Sequence, residues 1–283
     1  MMKKTLYFLP LVLAVSCGNP EPASNDSSGE TSEKIEVSEP KIAGKEVTYE
    51  GDSIIMKGYI AYDENIEGPR PGVIIVHEWW GHNEHTRNSA EKLAKAGYVA
   101  FALDMYGEGA QAEHPQDAQA FAGAVMQDFD GAKARFNAAL DVLRSNSNTN
   151  ADEIAAVGYC FGGGVVLNMA RQGANLDAIA TLHGSIGAIE PAQPGSVKGK
   201  ILVMNGADDP FVSPEAIDAF KAEMDSAIVE YEFVNYPGAV HAFTNPEATA
   251  KGKEFDLPLA YNKEADEKSW IKLEEFLASV FNK

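Results

Sequence analysis

Ile154-Ala155-Ala156-Val157-Gly158-Tyr159-Cys160-Phe161-Gly162-Gly163 is the stretch on which the rest of the sequence turns. Residues 154–157 are apolar throughout, as in a short strand buried on both faces. They run without a spacer into Gly158-x-Cys160-x-Gly162, and Gly163 to Arg171 then has helical character. A G-x-nucleophile-x-G run carries meaning only in this strand-turn-helix setting. The reason is steric. So sharp a turn strains the backbone of its central residue, and flanking glycines let neighbouring segments approach where a Cβ would clash. The helix that follows aims its first N–H groups at the turn, which favours a thiolate and any oxyanion formed beside it. A cysteine buried only for packing is the competing explanation, and the setting argues against it.

The same alternation extends outward in both directions. Val73-Ile74-Ile75-Val76 is another continuous β-branched run, Glu84 to Ala96 has helical spacing and stops at Gly97, and Tyr98 to Leu103 reads as a strand. About Pro115 to Ser145 forms one or two helices. Further strands are expected at Ala178 to Leu182, Ile201 to Met204 and Val229 to Asn235, with helices near Pro214 to Met224 and Lys263 to Phe281. Ahead of all these, Val47 to Tyr62 reads as a hairpin turning at Gly51 and Asp52. Lys253 to Tyr261 lacks periodicity and reads as a surface loop. A hairpin followed by repeated strand-helix units predicts one α/β domain over residues 46–283, its mostly parallel sheet covered by helices on both faces. A chain of 283 residues is long enough for one large domain of this kind.

Residues 1–16 have the parts of an export signal: Lys3-Lys4, the apolar run Leu6 to Val15, and the small residue Ser16. The run Leu13-Ala14-Val15-Ser16-Cys17 resembles a bacterial lipoprotein signal, which implies acylation of Cys17 as the first mature residue. It departs from the usual pattern in having Ala14, not a leucine, three places before that cysteine. The expected location is therefore exported, on the periplasmic or cell-surface side of a membrane, and the alternative is a secreted or periplasmic protein. Residues 17–45 are rich in Ser, Glu, Pro, Asn and Gly and cannot bury enough surface to fold alone, so they read as a flexible polar tether. Such a coil spans roughly 30 Å on average. The formal net charge of −19 and the lack of a basic patch argue against a nucleic-acid partner.

A thiol nucleophile needs a base and an acid that orients it. Tyr236-Pro237-Gly238-Ala239-Val240-His241 puts His241 in a loop just after an expected strand, where α/β sheets carry their chemistry. His183 also follows a strand and is its main rival; His77, His82, His85 and His114 have weaker settings. Gly206-Ala207-Asp208-Asp209-Pro210-Phe211-Val212 supplies the acid after the strand Ile201 to Met204. Pattern alone does not choose between Asp208 and Asp209, either of which also suits a turn or a helix cap.

Taken together, the segments Val76 to Arg87, Gly158 to Gly163, Gly206 to Val212 and Tyr236 to Phe243 resemble the dienelactone hydrolase family, over nearly all of Val47 to Phe281. The resemblance implies an α/β-hydrolase fold and a carboxylic ester hydrolase. Matched position by position, it implies Cys160 as nucleophile, Asp209 as acid and His241 as base. It further implies that Glu78 contacts the thiol, and that the backbone N–H groups of Trp79 and Phe161 face the oxyanion. Arg87 matches a family arginine, although a surface ion pair explains it equally well, and Trp80 with Trp79 suggests an aromatic pocket wall. There are departures. Where dienelactone hydrolases hold the substrate carboxylate with arginines, this chain has Asn245, has Ala242 for a serine beside the histidine, and has no arginine from Ala110 to Asp128.

The expected reaction is attack of Cys160 on an ester, lactone or thioester carbonyl, passing through an acyl-enzyme and needing neither metal nor organic cofactor. Thiolate is a good leaving group and amide nitrogen a poor one, so peptide cleavage is disfavoured. Three other readings compete. His77-Glu78 suggests zinc, but H-E-x-x-H fails because Gly81 stands in the fifth place. A redox role for Cys160 lacks a resolving cysteine other than the distant Cys17. A surface lipoprotein that binds a ligand without catalysis is the remaining alternative, against which the full set of nucleophile, base and acid argues.

Overall fold

Buried strands must satisfy their backbone groups from neighbours. In the computed structural model, which describes residues 39–281, they do so within one eight-stranded sheet. Its strands are β1 (Ile42–Gly51), β2 (Ile54–Asp63), β3 (Arg70–Val76), β4 (Val99–Ala102), β5 (Thr149–Tyr159), β6 (Ala178–Leu182), β7 (Lys200–Gly206) and β8 (Tyr231–Tyr236). Their spatial order is β1-β2-β4-β3-β5-β6-β7-β8. The pairs β1-β2 and β2-β4 are antiparallel and all the others parallel. The helices are α1 (Glu84–Lys95), α2 (Pro115–Gln127), α3 (Phe129–Ser145), α4 (Phe161–Arg171), α5 (Pro214–Ser226), α6 (Ala248–Phe255) and α7 (Lys263–Phe281). This is the α/β-hydrolase fold.

The β-branched runs are continuous because both faces of the sheet are covered. Ile74 and Val76 enter one core with Phe136 of α3, Val165 of α4 and Phe220 of α5. The alternate residues Val73 and Ile75 enter the other, with Leu93 of α1 and Leu273 of α7. Side chains alternate across a strand, so one four-residue run supplies two cores. The crossover through α1 carries the chain from β3 to β4 on one side, whereas α2 and α3 return it to β5 on the other side of β3. The strand order reverses between β3 and β5, and the crevice beyond the carboxyl ends of strands at such a reversal is where α/β sheets bind ligands.

Some expectations need correction. Strand β1 begins at Ile42, so residues 42–45, grouped by composition with the tether, pair with β2 from Asp63 back to Ile60. The hairpin turns at Asp52-Ser53, both with positive φ (56° and 57°), a geometry whose twist matches the flanking strands. The helical stretch before β5 breaks at Asp128, whose carboxylate accepts from Gly131 N–H at 3.1 Å and caps α3. Helix α6 was not expected, and residues 253–255 are its last turn rather than loop. Its buried residues are Ala248 and Gly252, four apart and both small, a pattern that hydropathy does not register. The N-terminal signal, Cys17 and most of the tether lie outside the described residues.

Candidate active site

Cys160 sits between β5 and α4 with φ 51° and ψ −115°, a backbone that side-chain-bearing residues seldom adopt. Two glycines make the turn possible. A Cβ on Gly158 would lie 2.2 Å from the Gly162 carbonyl oxygen, and one on Gly162 would lie 2.3 Å from that of Val76. The second approach brings the Cys160 turn against the end of β3, where Gly162 N–H donates to His77 O at 3.1 Å. The ends of β3 and β5 are thereby locked together at the crevice.

His241 Nε2 lies 3.0 Å from Cys160 Sγ, and His241 Nδ1 lies 2.8 Å from Asp209 Oδ2. Asp209 is fully enclosed, its other oxygen accepting from Phe211 N–H at 2.9 Å, whereas Asp208 is exposed. The structure thus brings Asp209, and not Asp208, to the histidine. Burial, the largest influence on His241, lowers its pKa. The charge and hydrogen bond of Cys160 and those of Asp209 outweigh it and leave the pKa raised. The arrangement favours the imidazolium form of His241.

The rival His183 is buried behind His241, their rings edge to face with centroids 5.5 Å apart. Its Nε2 meets Thr244 Oγ1 at 2.8 Å, and burial pushes its pKa well down, so it adds no charge beside His241. Cys160, His183 and Ala242 are three of the eight non-glycine positive-φ residues among the described residues, and all three lie at this site.

Glu78 follows β3 and is 2% exposed; its Oε2 accepts from Asn245 Nδ2 at 2.6 Å and lies 3.9 Å from His85 Nδ1. The Glu78 carbonyl accepts from Gly81 N–H at 3.1 Å and lies 2.6 Å from His77 Nδ1. A trans peptide is planar, so pinning that carbonyl also fixes the direction of Trp79 N–H, which points the opposite way. His77 Nε2 in turn accepts from Met105 N–H at 3.2 Å. The Phe161 N–H opens α4, where the first donors of a helix have no acceptor of their own. His77, Asn245 and Thr244 were not singled out as site residues from sequence. For His77 the signal was its place directly before Glu78.

Cys160 and His241 open into a cavity of about 410 Å³ whose walls include Trp79, Phe161, Phe211, Leu257 and Leu259. Two proposed substrate contacts do not reach it. Trp80 is buried in a separate cluster with Ala248 and Leu259, because α6 covers it and Lys251 Nζ sits 4.2 Å from its ring centroid. Arg87 points from α1 toward the hairpin, where it pairs with Glu46 at 2.9 Å over the Tyr59 ring. Its surface ion pair is the reading that the structure supports. His77, His82 and His85 each have separate surroundings, and among the described residues no group of three His, Cys, Asp or Glu is placed to hold a metal ion.

Comparison with known proteins adds a family to this geometry. The sequence profile of the dienelactone hydrolase family matches residues 56–281. A protein of Saccharolobus solfataricus, named by prediction as a carboxymethylenebutenolidase, is 28% identical over 274 residues, covering 83% of this chain and 98% of that one. Protein usf of Aquifex pyrophilus is 32% identical over 212 residues, covering 71% and 87%. The crystal structure of a dienelactone hydrolase-like promiscuous phosphotriesterase from metagenomic libraries superposes with a TM-score of 0.77 at 32% identity, covering 85% of this chain and 99% of that one.

Proposed function

Because the chain belongs to the dienelactone hydrolase family and is a hydrolase, we propose that it cleaves an ester, lactone or thioester bond with Cys160 as nucleophile, His241 as base and Asp209 as orienting acid. The observation that carries this is the unbroken contact chain from Asp209 through His241 to Cys160, at 2.8 and 3.0 Å, on a strained strand-to-helix turn. In the first step Cys160 Sγ attacks the carbonyl carbon, and a C–S bond forms as the carbonyl π pair moves to oxygen. The N–H groups of Trp79 and Phe161 stabilise that oxyanion, which is usually the largest single contribution to such catalysis. Collapse expels the alkoxide or thiolate, protonated by the His241 imidazolium, and leaves a thioester to Cys160. Water then gives a proton to neutral His241 and attacks the thioester, releasing the carboxylic acid and regenerating the thiol. Asp209 holds the imidazole with Nδ1 as donor and Nε2 toward sulfur. Glu78 would act near the thiol in the family's manner once it is released from Asn245.

The same reading includes export: residues 1–16 as a signal and Cys17 as a lipid-anchored mature N-terminus, both argued from sequence and outside the described residues. Hydrolysis of p-nitrophenyl acetate by the wild type and Cys160→Ala tests the chemistry. Loss of at least about a thousandfold in kcat is expected. Equal rates, or activity abolished by a chelator, would overturn it, and a wild type that does not exceed the uncatalysed rate would return the chain to non-catalytic ligand binding.

A further inference from the structure

The wall of the Cys160 cavity bears on the choice of substrate. Its apolar side chains Trp79, Phe161, Phe211, Val212, Leu257 and Leu259 dominate, and the described residues that line it include no lysine or arginine. Among the described residues that line it the only ionisable side chains are Cys160 and His241, which are in hydrogen-bond contact with each other. Lys251, on α6 ahead of Leu257 and Leu259, is engaged on the Trp80 ring, and Arg87 is turned away toward Glu46 of the hairpin. Asn245 lines a different cavity and spends its amide on Glu78. Two carboxylates, Asp209 and Glu78, are buried around the site.

A free carboxylate on a substrate would lose its hydration in this cavity without a charge-assisted partner, and buried acids of the same sign stand close by. An uncharged aromatic or branched group gains on both counts, since it removes apolar surface from water and meets aromatic faces. Phe211, 58% exposed and edge-on to His241 with ring centroids 5.0 Å apart, is a large apolar surface that such a group would cover.

We infer that the cavity selects uncharged, apolar substrates, esters or lactones of aromatic or branched acids, and discriminates against those carrying a second, ionised carboxylate. The inference rests on the Cys160 hydrolase reading and narrows it to a substrate class.

The test compares the p-nitrophenyl esters of para-isopropylbenzoic acid and of terephthalic acid, which share a leaving group and nearly share a shape but differ by one charge. Each rate is referred to its uncatalysed hydrolysis. The expected kcat/KM favours the isopropyl ester by about a hundredfold. Gln119→Arg, which introduces a guanidinium at the exposed edge of the cavity, is expected to raise kcat/KM for the terephthalate ester about tenfold. Similar kcat/KM for the two esters would overturn the inference. So would failure to cleave either one by an enzyme that turns over p-nitrophenyl acetate through Cys160. If p-nitrophenyl acetate hydrolysis does not depend on Cys160, the nucleophile assignment itself falls, a result separate from the ester ratio.

Discussion

Replacing Asp209 by asparagine, with Asp208→Asn beside it as the control, tests what the buried carboxylate does for His241. The Asp209 side chain is fully enclosed, and its Oδ2 lies 2.8 Å from His241 Nδ1. Asparagine keeps the shape and an oxygen for Phe211 N–H, so the fold is expected to survive, but its Nδ2 then faces His241 Nδ1, so the negative charge and the acceptor that fixes the imidazole tautomer are lost together. Opposite charges with centres about 4 Å apart attract by about 4 kcal/mol at an effective dielectric constant of about 20. If that attraction stabilises the imidazolium of the transition state, its loss lowers kcat by about three orders of magnitude. Asp208 is exposed, so the same substitution there changes kcat by less than about twofold. Steady-state hydrolysis of p-nitrophenyl acetate, with circular dichroism to verify folding, measures both. A folded Asp209→Asn enzyme within about tenfold of wild type, or equal losses for the two variants, would refute the electrostatic argument.

The remaining predictions concern stability and export. Gly158→Ala forces a Cβ to within 2.2 Å of the Gly162 carbonyl oxygen, so it is expected to destabilise the domain by about 3 kcal/mol or more, seen as a lower urea midpoint; an unchanged midpoint would show that the turn can relax. Burial lowers the pKa of His77, His82 and His183, that of His82 to about 4, so the unfolded chain binds protons that the native state resists. Stability is therefore present above the unfolded histidine value of about 6.5 and lost as pH falls toward the folded values, with His82 alone contributing about 3 kcal/mol. Melting temperatures at about pH 7.5 and pH 5 check this, and pH-independent melting would contradict it. Metabolic labelling with a fatty acid is expected to mark the full-length wild type and not Cys17→Ser; label retained on the variant would remove Cys17 as the acylated residue.

Most of the sheet was legible in the sequence because a strand buried on both faces has to be apolar at every position. Val73 to Val76 and Ile154 to Val157 show this directly, each feeding the two cores on opposite faces. The Cys160 turn was legible for a related reason: Gly158 and Gly162 are places where backbone approaches too closely for a Cβ. Helix α6 was not, since its buried contacts are made by Ala248 and Gly252, which carry little hydropathy. The start of β1 was hidden as well, because Ile42-Ala43-Gly44-Lys45 is short, carries small residues and follows a Ser-, Glu- and Pro-rich stretch, so only its pairing with β2 marks it as strand.

What the sequence determined by itself was a parallel sheet with a cysteine at a strand-to-helix turn, since local backbone needs leave a local residue pattern. The partners of that cysteine belong to tertiary structure. Asp208 and Asp209 are neighbours in the chain, yet only one is enclosed against His241; Trp79 faces the cavity while Trp80 lies under α6. Hydrogen bonds spanning 32 and 81 residues join the acid, histidine and cysteine. No local pattern encodes such distances; they follow from the reversal of strand order that brings the ends of β3 and β5 to one crevice, with the loops after β7 and β8 carrying Asp209 and His241 to it.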